Sequence, residues 1–216
     1  MRRLIYVPMV HDLWSESEYS RLYMESVIGK NSDENLVKEF REVFNAYWDK
    51  IDVRLSSANI HKIYQDTYSD CDSLDKMLQH YRNGVDRSRN FSAICSLVDN
   101  GALLMVTESY IAITKSQNSI SKLQDSAIKL RSRKRPPKSE VSRRLMPRDR
   151  CIAMNIDKTL QKKETGVLFI GFYHNTDKIL LKQYPAIRLE ILDGYAAKLM
   201  KICAILNDNY IKKFSK

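Results

Sequence analysis

Four short stretches of the chain run apolar and then turn to groups that titrate or hydrogen-bond. The run from Leu4 ends in His11 and Asp12, the run from Ile60 in Gln65 and Asp66, the run from Ala102 in Thr107 and Glu108, and the run from Val167 in His174 and Asn175. If these runs are parallel strands of one sheet, their carboxyl ends share an edge, which is where α/β sheets bind ligands. Two imidazoles and up to three carboxylates would then meet. Such a group can move protons as general acid and base, or hold a divalent metal. The catalytic candidates are His11, Glu108, Arg148 and His174, and the metal candidates are His11, Asp66 and His174. One polar strand end carries no weight, because strand ends reach water. Two of only four histidines placed at such ends favour a site. The other two, His61 inside a strand and His80 on a helix beside Tyr81, read as ordinary surface or core residues.

The elements that would position these groups alternate along the chain. Strands are expected at Leu4 to His11, Asn59 to Asp66, Ala102 to Glu108 and Gly166 to His174, with a weaker one at Ala186 to Leu192. Between them lie helical patterns. Ser15 and Glu18 are spaced as a capping box, with Gly29 as a stop. Phe40, Val43, Phe44, Tyr47, Trp48, Ile51 and Leu55 recur at helical spacing. Further helices are expected around Leu74 to Tyr81, Phe91 to Val98, Ser109 to Leu130, Arg148 to Leu160 and from Tyr195 onward. With 216 residues, 44% hydrophobic, the chain supports a sizeable core. The expected fold is one α/β domain over 1–216, with a mostly parallel central sheet of about four to five strands flanked by helices. Three of the strands are nearly continuous in apolar residues, as when helices cover both faces. No glycine-rich loop follows any strand, which argues against a nucleotide held by its phosphates.

The net charge is +10, of which the stretch from Arg131 to Arg150 supplies +7. With Pro136, Pro137 and Pro147 and no apolar periodicity, 131–147 reads as a basic, mobile loop. Through 131–150 the chain could meet nucleic acid or an acidic protein, although an aromatic platform for stacking bases is missing there. Cys71, Cys95, Cys151 and Cys203 are scattered without a CxxC pair, which favours the reducing cytoplasm and argues against a zinc knuckle. No apolar run is long enough to span a bilayer, so no membrane is expected among the partners.

"RDRCIAMNI" followed by "GVLFIGFYHN" is the most specific sequence feature. Read from the residues, Arg148, Asp149 and Arg150 open a helix, Asp149 complements its dipole, and Arg148 could neutralise an anion or a developing oxyanion. The pair resembles the carboxyl-terminal motifs of the erythromycin-esterase-like, ChaN-like and TraB/Tiki superfamily. There an RD-bearing helix precedes a strand ending in a GxxH element. The resemblance spans about residues 148 to 175 and carries over to Arg148, Asp149, Gly171 and His174. "VPMVH" stands where that superfamily has its amino-terminal strand and histidine, without the glycine and glutamate found there. Members include hydrolases, metal-dependent peptidases and a haem-binding protein.

The resulting expectation is a hydrolase-like enzyme with a His/carboxylate site, a small-molecule or peptide substrate and a divalent metal as candidate cofactor. One alternative is a non-catalytic ligand-binding or protein-interaction module with a degenerate site. The other is a nucleic-acid binder using the basic segment. Neither a GxSxG nor an HExxH motif occurs.

Overall fold

The computed structural model describes residues 1–9, 34–66, 68–70, 73–82, 89–129 and 138–213. Its strands are β1 (Arg2–Met9), β2 (Lys62–Gln65), β3 (Leu103–Met105), β4 (Thr165–Gly171) and β5 (Ile187–Ile191). Its helices are α1 (Glu34–Ser56), α2 (Leu74–Arg82), α3 (Arg89–Asp99), α4 (Tyr110–Lys129), α5 (Lys138–Thr159), α6 (Thr176–Gln183) and α7 (Ala196–Lys213). The strands form one sheet in the order β3-β2-β4-β1-β5, every neighbouring pair parallel. This is the α/β architecture expected from the alternation of strand and helix patterns.

Side-chain alternation along the central strands builds two cores. Ile5, Val7, Met9, Ile63, Val167 and Phe169 face one side, against Phe40, Tyr47, Trp48 and Ile51 of α1 and Leu199 of α7. Leu4, Tyr6, Tyr64, Leu168 and Ile170 face the other, against Ile152 and Ile156 of α5 and Ile179 and Leu180 of α6. Because both faces are covered there, β1 over residues 4–7 and β4 over residues 167–170 read as unbroken apolar runs. At Gly166 an added Cβ would lie 2.9 Å from the Tyr64 ring, so only glycine lets that ring cross β4.

Pro8 sits in a strand flanked on both sides, a position that usually requires an N–H. The pairing of β1 with β5 ends at Tyr6 opposite Ile191, whereas its pairing with β4 continues to Met9. The missing N–H therefore falls beyond the β5 ladder. The hydroxyl of Tyr47 lies against the Pro8 carbonyl at 2.8 Å and the Leu192 carbonyl at 2.9 Å.

The structure corrects the sequence reading at three points. The expected loop over 131–147 is helical from Lys138 onward, and residues 130–137 lie outside the described residues. Accordingly, Arg148 and Asp149 do not open a helix but lie inside α5, past Pro147. The periodicity was hidden because the inward positions of α5 include Ser142, Arg148 and Asp149 as well as Leu145, Ile152 and Ile156. A helical face built partly from polar residues has no apolar stripe to read. Finally, α6 was not anticipated. It is one short helix of eight residues, and Asn175 at its start makes no side-chain cap. No described helix is long and apolar enough to cross a membrane.

Candidate functional site

The carboxyl ends of β2, β3 and β4 bring Asp66, Glu108 and His174 to one edge of the sheet, as expected. Asp66 directly follows β2, and its backbone N–H continues the ladder to the Phe169 carbonyl at 3.1 Å. Glu108 is placed by an isolated parallel bridge to Ser69 beyond β3. Thr107 fixes that turn. Its hydroxyl lies 2.9 Å from the Tyr68 carbonyl, and its own carbonyl accepts from Asn155 Nδ2 of α5 at 2.9 Å. His174 follows β4 in a turn closed by its N–H on the Gly171 carbonyl at 3.1 Å. His11 lies outside the described residues.

From the other side, α5 supplies Arg148 and Asp149. Arg148 grips Glu108 through two parallel contacts, Nε to Oε1 at 2.6 Å and one Nη to Oε2 at 2.7 Å. Both side chains are almost wholly withdrawn from water, 6% and 0% exposed. Burial works against the Arg148 charge. The Glu108 contact, with Asp66 and Asp149 nearby, more than offsets it and holds the guanidinium above the usual arginine range.

Asp149 is buried, with Oδ1 at 2.5 Å from His174 Nδ1 and 2.9 Å from the Thr176 hydroxyl. Its Oδ2 accepts the Asn175 N–H at 3.0 Å. This carboxylate therefore serves the amino terminus of α6, where orphan N–H groups and the helix dipole favour negative charge. The sequence reading had assigned it to the start of its own helix. The three donors leave Asp149 in the accepting role, so the contact with His174 is donated by Nδ1–H. Nε2 points toward Asp66 Oδ2 at 3.5 Å, too long for a strong hydrogen bond.

Asp66 Oδ2 in turn accepts the Gly171 N–H at 3.0 Å. A Cβ added to Gly171 would lie 3.3 Å from that oxygen and 3.6 Å from the imidazole. Glycine here leaves room for the Asp66–His174 approach. His174 itself is only 8% exposed, not the solvent-reached strand end suggested by its position. Two residues were missed. Thr176 binds Asp149. Tyr6 lies beneath the cluster, its phenol pushed far above the ordinary range by burial first, then by Asp177, Asp149 and Asp66. The signal for Tyr6 was a tyrosine inside an otherwise aliphatic strand.

Of the metal candidates, only Asp66 and His174 come together among the described residues, where no group of three or more His, Cys, Asp and Glu could hold a metal ion. Asp149 already has three donors, so the described donor set does not fit a metal. What the edge offers is a set of groups able to move protons, three carboxylates around one guanidinium and one imidazole held through Nδ1. Comparison with protein-family models, with curated proteins and with solved structures returns no match for this chain.

Proposed function

We propose that the chain is a hydrolase-like enzyme in which His174 is the general acid and base, oriented by Asp149. The observation that supports this is the Asp149–His174–Asp66 line. One carboxylate holds Nδ1, and Nε2 faces a second carboxylate across a gap of 3.5 Å. In that role Nε2 takes a proton from an attacking water and returns it to the leaving group. Arg148 contributes positive potential to the developing oxyanion, while Glu108 holds it in place. The substrate is a small molecule or a peptide, and the likeness to the erythromycin-esterase-like, ChaN-like and TraB/Tiki superfamily is part of the same proposal. We place its work in the reducing cytoplasm, in keeping with the free thiols of Cys95, Cys151 and Cys203.

The burial of His174 favours a second reading, a non-catalytic module in which the network holds the strand ends together. The test is hydrolysis of a panel of activated esters and amides by wild type, His174→Gln and Asp149→Asn, with thermal melts of all three. The enzyme reading expects turnover in wild type that falls about 10²–10⁴-fold in His174→Gln. Absence of wild-type turnover together with a large drop in melting temperature for His174→Gln selects the second reading.

A further inference from the structure

Helices α5 and α6 cover one side of the sheet and α4 joins them at the side, α4 packing on α5 and α5 on α6. Among the described side chains, their exposed charges carry one sign. Lys115 of α4, Arg143, Arg150 and Lys158 of α5, and Lys178 and Lys182 of α6 are all exposed. Arg143, Arg150 and Lys158 recur at intervals of seven and eight residues, so they form a stripe on α5 opposite its buried positions Leu145, Ile152 and Ile156. Among the described residues of these helices no carboxylate is exposed. Glu140 is held by Arg143 and Arg144, Asp157 by Arg2, Asp149 is in the site, and Asp177 in the first turn of α6 is half-buried.

On the opposite side of the sheet, α1 behaves differently. On α1 the exposed charges are balanced, with Glu34, Glu42 and Asp49 against Lys38, Arg41 and Lys50, and Lys38 pairs with Glu42. An ordinary solvated helix face looks like α1. The α4–α6 face also carries exposed aliphatic side chains between its cations: Ile111 at 64%, Met154 at 39% and Leu181 at 58% exposed.

We infer that this face docks on an anionic lipid bilayer, cations against the headgroups and the aliphatic side chains pressed into the interface. Contact with a surface needs no spanning helix, and spanning length alone had set the expectation of no membrane. Positive charge by itself would suit any polyanion, and the aliphatic side chains decide between them. Ile111, Met154 and Leu181 gain by leaving water at a headgroup boundary and gain little against a phosphate backbone. The face carries a single exposed ring in its described residues, Tyr110 at the first residue of α4 and 56% exposed, and none on α5 or α6, so it has no row of aromatics on which successive bases could stack.

The experiment is vesicle co-sedimentation of the full chain. One set of vesicles is phosphatidylcholine alone, and the other includes a minority of phosphatidylserine. The variants are Arg150→Glu/Lys178→Glu/Lys182→Glu and Leu181→Ser, with thermal melts to show that both remain folded. A DNA duplex binding assay runs in parallel. We expect binding to the anionic vesicles only, weakened by salt. Each neutralised cation should cost about fivefold in affinity, so the triple reversal should lose more than a hundredfold. Leu181→Ser should weaken vesicle binding and leave any duplex binding unchanged. Binding that ignores the triple reversal, equal binding to neutral vesicles, or no vesicle binding at low salt overturns the inference. Duplex binding lost in the triple variant without any vesicle binding assigns the face to nucleic acid instead.

Discussion

The two edges of the sheet both withdraw polar side chains from water, and they do so in different ways. At the amino edge, Lys62 reaches the Thr159 carbonyl and, at 2.9 Å, the Glu164 carboxylate. Glu164 also accepts the Gln161 N–H at 2.6 Å, and Arg2 pairs with Asp157 at 2.8 Å. Main-chain atoms supply many of the partners, and the carboxylates keep some water, at 24% exposure for Glu164 and 34% for Asp157. At the carboxyl edge the partners are mostly side chains, and Glu108 and Asp149 have 0% exposure. An edge that only has to hold a fold can do so with half-wet pairs and carbonyls. Burying three carboxylates against one guanidinium and one imidazole carries a desolvation cost that apolar residues would avoid. Shifted and paired titratable groups gather where chemistry is done, so the costlier edge is where function is expected.

The sharpest way to break this contrast is Arg148→Met. It takes the guanidinium away from the buried Glu108 carboxylate and should destabilise the chain by about 3–5 kcal/mol in urea denaturation. Adding Glu108→Leu should recover most of that. A loss below about 1 kcal/mol would mean that water already reaches Glu108. Next comes Asp149→Ala, which orphans the Thr176 hydroxyl, the Asn175 N–H and His174 Nδ1. A loss of about 2–3 kcal/mol is expected. At the other edge, Lys62→Met should cost only about 1–2 kcal/mol, because Glu164 can be hydrated where it stands. Equal losses for Lys62→Met and Arg148→Met would erase the difference between the edges.

The smallest effect is in acid. Burial works against the Glu164 charge, but the Gln161 N–H and Lys62 outweigh it and hold the carboxyl below the usual glutamate range. A lowered folded-state value adds stability that is present above the unfolded value of about 4.3 and lost as pH falls through the folded one. Urea midpoints of wild type and Glu164→Gln should therefore differ at neutral pH and converge in acid. A difference that persists unchanged would show that the contact does not depend on charge.

The sheet was legible because its code is local. Continuous apolar runs such as Leu4 to Val7 and Val167 to Ile170 are long enough to declare strands buried on both faces, and α1 shows a full apolar stripe. Asp66, Glu108 and His174 could be placed at one edge on strand ends and parallelism alone. What could not be read was which of them touch. Glu108 turned out to hold Arg148, and His174 to hold Asp149, because the helix that brings both partners hides its period behind Ser142, Arg148 and Asp149. Residues that build a buried polar site do not look inward-facing by hydropathy. The helix beside such a site is therefore the one most easily mistaken for a loop.

The strand order has a consequence for synthesis. β1 pairs only with β4 and β5, Arg3 opposite Thr165 and Arg2 opposite Ile187. During translation, the first strand of the sheet has no hydrogen-bonding neighbour until more than three quarters of the chain has emerged. At ordinary elongation rates that delay is about 10–30 s. Leu4, Ile5 and Val7 would spend it as an unpaired apolar segment, the kind of species that holdase chaperones bind. Ribosome-bound chains stalled before Thr165 should leave β1 open to protease, and chains stalled well past Ile191 should protect it. Protection in the shorter chains would mean that β1 is buried first by some other part of the molecule.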